Sequence, residues 1–337
     1  DKPIVVVTRH GPGSGKLATC LSQQYHDHRR GIHAGYAKFE TFPIWNLPLK
    51  HPVNVAYEAA TAELEDVNQL DHFHLEAHGE QAVNYNRDID AFPLLRRIIE
   101  RITGGESFYQ SPTDMGVNRA GFGIVDDEAT REAGRQEIVR RYFRYACEHA
   151  MGLVSSATVE RIELLMDEMA VGPESRPVVG PARAAAEEAK TRGRGNNGVF
   201  VGAALALPGG EIVKGSNSPL LHASAALIIR AAKRLAGLSD EVDLLPDSAI
   251  ESIGHLKTVV LGRKRVSLDA EEVLIVLAIS ATTNPDAEAA IAALPQLRRC
   301  EAHMTHMPTP GDEAGLRRLG VNLTTDPHHV SHRLFFR

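Results

Sequence analysis

The chain has 337 residues, of which 43% are apolar and 24% are charged, and its formal net charge is -6. This length allows two or three domains with a large buried core, and the composition excludes disordered and fibrous proteins. The acidic balance argues against a nucleic-acid-binding surface, which needs a basic stripe. Three widely spaced cysteines fit a reducing cytoplasm, and the sequence shows neither a signal peptide nor a membrane-spanning apolar run. We therefore expect a cytoplasmic protein.

The first predicted elements form a phosphate cradle. The apolar run at 4–7 predicts a buried strand, a glycine-rich loop follows at 8–15, and a helix is expected at about 16–29. Backbone N–H groups of such a loop and the helix dipole favour an anion, to which Lys16 adds positive charge. A second strand near 34–39 would complete a P-loop-like βαβ unit with a parallel sheet. A small phosphorylated ligand is the expected partner.

This loop departs from the standard P-loop pattern at two positions. His10 stands in place of the first glycine, and Leu17 replaces the Ser or Thr whose hydroxyl holds Mg²⁺. Thr19 supplies that hydroxyl only if the loop is shifted in register. The alternative is a glycine-rich strand-to-helix turn with an ordinary surface lysine. The predicted phosphate-binding residues are Gly11, Gly13, Ser14, Gly15, Lys16 and Thr19.

A helical subdomain is expected next. Apolar residues recur at helical spacing around 92–102, 138–145 and 159–169. The stretch 171–197 is rich in Pro, Gly, Ala and Arg, which is typical of a domain boundary. The sequence thus predicts a P-loop-like α/β segment at 1–87, a helical subdomain at 88–190 and a C-terminal α/β domain at 191–337.

Strands and helices alternate in the C-terminal part. Asp269 with Glu272 three residues later is a capping-type start for one of its helices. The predicted elements are a strand at 199–207, its return at 212–213, a helix at about 220–235, a short strand at 242–245, a helix through 280, and strands near 301–307 and 321–324 that flank a last helix.

Histidines and acids cluster near the end of the first predicted domain. Imidazoles and carboxylates are metal ligands by type, and the cluster holds Asp71, His72, His74, Glu76 and His78. Alternation would place His72 and His74 on one side of an extended segment. No established metal-ligand spacing fits, so we favour a solvated or hydrogen-bonded cluster and expect no metal site.

Further along, Asp114 is a candidate for chemistry because a carboxylate can hold a cation beside a phosphate or act as a base; its alternative role is helix capping. Lys38 falls at the end of the second predicted strand, the edge where α/β sheets bind ligands. We therefore predict Lys16, Lys38 and Asp114 as catalytic residues. Candidates for binding a second substrate are Asn86, Arg87 and Asn118, although Asn86 and Arg87 equally suit an ion-paired junction between sheet and helices.

His222 opens a predicted helix after a two-strand hairpin, which is compatible with a deaminase-like topology. Zinc deaminases need His-x-Glu followed by Pro-Cys-x-x-Cys. Here Ser224 stands at the glutamate position, and the sequence contains no Cys-x-x-Cys. We therefore expect no zinc at His222, and the alternative is a histidine that caps the helix start.

Six segments of the chain resemble uncharacterised protein family 0371, a bacterial family with a domain of unknown function. The segments are GPGSGKLATCLSQ at 11–23, GYAKFETFP at 35–43, LPLKHP at 47–52, NYNRD at 84–88, SPTDMGVN at 111–118 and ATTNP at 281–285. The resemblance implies α/β and helical parts and an additional N-terminal region ahead of residue 1. It implies no established activity and no assigned catalytic residues.

Two main functional hypotheses remain open, with a deaminase-type hydrolase as the third and least favoured. The first is a nucleotide- or phosphometabolite-dependent transferase or ligase with a degenerate P-loop, using ATP or another nucleotide with Mg²⁺. The second is a non-catalytic protein that binds or senses a phosphorylated metabolite, which Leu17 favours. A homo-oligomer is expected because a βαβ unit that begins at residue 1 leaves a sheet edge uncovered.

Overall fold

The structure is a computed structural model that describes residues 4–8, 14–38, 43–116, 118–262 and 266–329. The chain is a mixed α/β protein with two compact units, Asp1–Ile138 (unit 1) and Val139–Arg337 (unit 2). The division falls inside a long helix, Asp127–Ala150. The domain limits predicted at 87 and 190 stay a prediction.

The described part of unit 1 consists of helices, 3-10 turns and one two-stranded antiparallel sheet. Its helices are α1 (Lys16–Arg29), α2 (Pro52–Ala60), α3 (His72–His78), α4 (Asn86–Thr103) and the first half of α5 (Asp127–Ala150). Its strands, β1 (Asn68–Leu70) and β2 (Val83–Tyr85), pair antiparallel, with Asn68 opposite Tyr85. Short 3-10 turns lie at Ala62–Leu64, Thr113–Met115 and Ala120–Gly123.

The predicted βαβ unit is wrong in both of its strands. Residues 4–8 have no regular secondary structure, and Ile4, Val5 and Val6 are exposed. Residues 32–38 also lack a strand, whereas α1 covers the predicted helix. A short apolar run predicts a strand only where a neighbouring chain pairs with it, and the run itself does not reveal the neighbour.

A small apolar core joins the elements of unit 1. Phe92 and Ile99 on α4 pack with Met115, and Leu21 on α1 and Tyr36 lie against them. The apolar spacing on α4 matches the predicted helix at 92–102. This core holds Met115, the last residue of the turn at Thr113–Met115, against α4.

Unit 2 is built on a four-stranded sheet. Its strands are β3 (Gly202–Ala206), β4 (Ile212–Ser216), β5 (Glu301–Met304) and β6 (Asn322–Thr325), in the order β4-β3-β5-β6. β3 is antiparallel to β4 and β5, whereas β5 and β6 are parallel. Its helices, besides the second half of α5, are α6 (Ser156–Glu168), α7 (Val179–Thr191), α8 (Ala223–Leu235), α9 (Asp247–His255), α10 (Ala270–Ser280), α11 (Pro285–Ala293) and α12 (Pro310–Arg318).

Both faces of β3 are covered by helices. Ala203 and Leu205 belong to the main core with residues of α8, α10 and α11, while Ala204 packs with Val178 and Ala182 at α7. This alternation follows the two-residue period of a strand. Gly202 permits the close approach of α7, because a Cβ there would lie 2.0 Å from the Ala182 carbonyl oxygen.

Most predicted elements of the C-terminal part are present. The return strand extends to β4, and the Asp269–Glu272 capping box starts α10 as predicted, with both reciprocal hydrogen bonds formed. The predicted strand at 242–245 is wrong, since these residues form no strand. That prediction was based on a short apolar run, without the alternation of apolar and polar residues that is typical of a half-buried strand.

Candidate functional site

Unit 1 contains an open cleft of about 730 Å³, which we call the unit 1 cleft. Its walls combine aromatic rings, two imidazoles, two carboxylates and a guanidinium. The lining residues are Trp45, His74, His78, Glu80, Phe108, Gln110, Thr113, Asp114, Gly116 and Arg119.

Two histidines reach the cleft from α3. The side chain of Asp71 caps this helix by accepting from the His74 N–H at 3.1 Å, and Gly79 ends it in a left-handed conformation. The expected extended segment is therefore wrong, because the histidines lie on a helix. His74 and His78, four residues apart, share one side of it, with ring centroids 4.5 Å apart.

Asp114 faces these histidines from the turn at Thr113–Met115. Its Oδ2 accepts the backbone N–H groups of Gln110 and Ser111 at 2.9 and 3.0 Å. Its Oδ1 lies 3.0 Å from His78 Nε2 and 3.7 Å from His74 Nδ1. Burial alone would raise the pKa of Asp114, but the hydrogen bonds from Gln110 and His78 lower it below the ordinary value. The carboxylate is thus held ionised.

Asp71 joins α3 to the same turn. Its fully buried carboxylate accepts from the hydroxyl of Thr113 at 2.5 Å and from the Thr113 N–H at 3.2 Å, besides capping α3. Charge-assisted hydrogen bonds of this kind fix geometry. Asp71 therefore positions the histidines and Asp114 relative to one another without lining the cleft.

The predicted residue Lys38 reaches this region through its backbone. Its N–H donates to the Met115 carbonyl at 2.7 Å. A Cβ on Gly116 would lie 2.3 Å from the Lys38 carbonyl oxygen. Gly116, with φ at 132°, is thus required by both its conformation and this contact. The Lys38 side chain forms an ion pair with Asp88 in the first turn of α4, at 2.5 Å.

The predicted second-substrate residues contact other parts of unit 1. Asn86 accepts from the Val67 N–H at 3.0 Å, and Arg87 pairs with the buried Asp66 at 3.4 Å. Asn118 accepts from the Ala120 N–H at 2.8 Å. These side chains are not among those that line the cleft, so their role as ligand contacts stays a prediction.

At the start of α1 the structure describes part of the predicted phosphate cradle. Lys16 donates to Ser14 at 3.2 Å, Gly15 is left-handed, and Thr19 bonds back to the Gly15 carbonyl at 3.1 Å. Gly11 and Gly13 lie outside the described residues. The phosphate-binding role of this segment stays a prediction.

Unit 2 has its own small pocket of about 50 Å³, which we call the unit 2 pocket. Its lining includes His222, Ser267, Met304, Met307 and Asp312. Asp312 Oδ2 lies 2.8 Å from Nδ1 of His222, which leaves Nε2 as the other reactive nitrogen of the ring. Ser267 is 2% exposed, and its hydroxyl has no hydrogen-bond partner among the described residues.

Asp312 receives hydrogen bonds from the N-terminal ends of three helices. Ser224 in the first turn of α8 donates to it, the Ala270 N–H at the start of α10 donates at 3.1 Å, and Thr309, the N-cap of α12, donates its hydroxyl at 2.6 Å. Burial alone would raise the pKa of Asp312, but the hydrogen bonds from His222, Ser224 and Thr309 lower it. Nearby, burial raises the pKa of Asp269.

Sequence reasoning missed several cleft residues. Trp45, Phe108 and Arg119 were not predicted to share a site with Asp114, because each comes from a different loop. The spacing of His74 and His78 was a usable signal, since two histidines four residues apart face one side of a helix. Asp71 before them and Gly79 after them are the capping residues that mark such a helix.

The chain is similar to known proteins along almost its whole length. Residues 1–170 match the family model described as "Domain of unknown function DUF1846, N-terminal", and residues 174–335 match the corresponding C-terminal model. The chain is 53% identical over 335 residues to a UPF0371 protein of Clostridium botulinum (strain ATCC 19397 / Type A) and 51% identical to one of Clostridium tetani (strain Massachusetts / E88). The chain belongs to this uncharacterised family.

Each of these alignments covers 99% of this chain and 66% of the relative. The chain therefore spans about two thirds of the length of the curated relatives it matches. Within the part of the chain that the structure describes, none of the helices is both long and apolar enough to cross a membrane.

Proposed function

We propose that the unit 1 cleft binds a small phosphorylated molecule and that the protein is a cytoplasmic transferase or ligase that acts on it. The observation that carries this proposal is the lining of the cleft, where Arg119 lies with Asp114, two imidazoles and two aromatic side chains. A guanidinium matches the geometry of phosphate oxygens, and aromatic faces suit the organic part of a ligand.

The N-terminal end of α1 is a second place where a bound anion would be favoured. Its first turn carries no acidic residue, and Lys16 is its first residue. The N-terminal end of a helix favours negative charge. Because the two strands of a P-loop-like unit are absent from the described residues, this contact is proposed without P-loop architecture, and ATP with Mg²⁺ is one ligand to test.

An enzyme suits the cleft better than a sensor. Imidazole and carboxylate side chains transfer protons or hold a catalytic metal ion in enzymes, and Asp114 and His78 lie 3.0 Å apart in the cleft that Arg119 also lines. A sensor needs charge and shape but no such pair. Turnover in the presence of a co-substrate separates these two functions.

Replacing Arg119 by Ala is expected to weaken binding of a phosphorylated ligand by about 10- to 100-fold, since a charge-assisted hydrogen bond contributes about 1.5–3 kcal/mol. Titration calorimetry with ATP, AMP, a sugar phosphate and inorganic phosphate measures this effect. Adenosine and the free sugar are the matched ligands without phosphate.

Arg101→Ala is the control variant, because Arg101 is an exposed arginine in the last turn of α4 and does not line the cleft. It is expected to bind as the wild type does. Lys16→Ala tests the second anion contact separately. If no phosphorylated ligand binds, or if the Arg119 and Arg101 variants bind it equally, the proposed function is wrong.

A second candidate function is proton transfer in the unit 2 pocket. The observation that favours it is the His222–Asp312 pair beside buried Ser267, whose hydroxyl has no hydrogen-bond partner among the described residues. A carboxylate on one ring nitrogen fixes the tautomer, so the other nitrogen can accept a proton from a ligand. The hairpin of β3 and β4 precedes α8, and this is the feature that the chain shares with the predicted deaminase-like topology. Hydrolytic deamination itself is not proposed, because Ser224 replaces the glutamate.

Neutral His222 is expected to carry its proton on Nδ1, because the ionised Asp312 accepts there. Nitrogen-15 chemical shifts of the ring measure the tautomer directly, and Asp312→Asn is expected to reduce the Nδ1–H population. His255, an exposed histidine at the end of α9, serves as the internal control. A dominant Nε2–H tautomer at His222 in the wild type would overturn this candidate.

A further inference from the structure

The side chains of His74, His78 and Asp114 form a compact group of potential metal ligands on one wall of the unit 1 cleft. One ligand atom from each residue lies within 4.8 Å of the others. No second group of three His, Cys, Asp or Glu side chains meets the same condition in the described ranges. Two of the three ligands come from one helix, and the third is about 36 residues further along the chain.

The separations suit a bound ion. With metal–nitrogen and metal–oxygen bonds of about 2.0–2.2 Å, ligand atoms in a tetrahedral site lie roughly 3.3 Å apart. Asp114 Oδ1 is 3.0 Å from His78 Nε2 and 3.7 Å from His74 Nδ1. Small side-chain rotations are therefore enough to place all three ligands around one ion.

The surroundings hold the ligands in place. The Asp114 carboxylate is oriented by two backbone N–H groups on Oδ2, which leaves Oδ1 towards the imidazoles. Ser111 Oγ lies 3.0 Å from His74 Nδ1 and accepts the Asp114 N–H. That imidazole nitrogen has a single lone pair, so an ion bound at Nδ1 replaces the hydrogen bond from the Ser111 hydroxyl. The backbone N–H groups on the Asp114 carboxylate are outer partners of the kind that orient the ligands in metal sites.

Access to the group is from the cleft. His74 is buried, whereas the side chains of Asp114 and His78 are 19% and 39% exposed. Three protein ligands with an open side are the arrangement of catalytic zinc sites, whose remaining position holds water or substrate. Structural sites, in contrast, enclose the ion with four protein ligands.

We propose that His74, His78 and Asp114 bind one divalent first-row transition-metal ion, with Zn²⁺ as the best match and an open coordination position towards the cleft. Imidazole nitrogen favours such ions over Mg²⁺, which prefers oxygen ligands alone. Metal binding here does not depend on which ligand occupies the cleft. The role of the ion, to bind a phosphate oxygen beside Arg119, does rest on the proposed function.

The test is titration of the chelator-treated full chain with ZnCl₂ alone, against a competing chromophoric chelator. The wild type is expected to bind one Zn²⁺ at this group, and His78→Ala is expected to lower the affinity by about 100-fold or more. His72→Ala is the matched control, since His72 is an exposed histidine on the same helix outside the group. MgCl₂ at a large excess is not expected to compete.

Asp114→Asn is the second variant, because an amide oxygen can still accept the backbone N–H groups of Gln110 and Ser111 while the ligand charge is lost. Far-ultraviolet circular dichroism checks that each variant is folded. Absorption bands of Co²⁺, used in place of Zn²⁺, report imidazole and carboxylate coordination in the wild type.

Equal zinc affinity of the wild type, His78→Ala and His72→Ala overturns the proposal. Zinc binding without binding of any phosphorylated ligand leaves the metal site standing and removes the proposed function.

Discussion

Arg176→Met is expected to lower the free energy of unfolding of the protein by about 3–5 kcal/mol. Arg176 is 0% exposed and pairs with Glu301 at 2.5 Å. Its guanidinium also donates to the carbonyls of Ala302 and Asn322, at 3.2 and 2.8 Å, and to Thr324. Methionine fills a similar volume but donates no hydrogen bond, so the substitution leaves these acceptors without their partner.

The control variant replaces a second arginine that pairs with the same Glu301 carboxylate. Arg140 pairs with the other oxygen of Glu301 at 3.1 Å, but its side chain is 30% exposed. Arg140→Met is expected to cost at most about 1 kcal/mol, because a solvent-screened ion pair contributes little. Urea unfolding followed by circular dichroism measures both variants. Similar midpoint shifts for the two arginines would show that burial of Arg176 does not govern the stability of this network.

The sequence predicts helices well where capping residues and apolar spacing agree. α1 and α10 are examples, since the glycine-rich start of the former and the Asp269–Glu272 box of the latter are local signals. α3 was missed because seven residues give too short a period, and its histidines suggested alternation instead. The run at 4–7 was misread because strand formation depends on a partner that is distant in sequence.

The candidate site could be predicted only in part. Asp114 was recognised as a candidate from its residue type, and His74 and His78 were recognised as ligands by type. Their proximity arises from Asp71, which caps α3 and also binds Thr113, 42 positions along the chain. Single-sequence reasoning has no measure of such long-range contacts, and for the same reason it did not identify Arg119 or the burial of Arg176.

Asp312→Ala is also expected to lower the free energy of unfolding by about 3–5 kcal/mol. Asp312 is 2% exposed and accepts from Ser224, Ala270 and Thr309 at the starts of three helices. Each buried donor left without an acceptor costs about 1–3 kcal/mol, and the removed negative charge no longer interacts with the helix dipoles. Glu313→Ala, at the adjacent exposed position of α12, is the control and is expected to change stability by at most about 0.5 kcal/mol.

Acid titration tests the same carboxylate in a second way. Burial by itself opposes ionisation of Asp312, but its hydrogen bonds hold its pKa below the unfolded value of about 3.9. Its contribution to stability is therefore fully present above about pH 4 and is lost as the pH falls through the folded-state pKa. Urea unfolding between about pH 5 and pH 2 should show a shallower loss of stability for Asp312→Asn than for the wild type. An Asp312→Asn variant that loses stability in acid as steeply as the wild type would show that ionised Asp312 does not stabilise the fold.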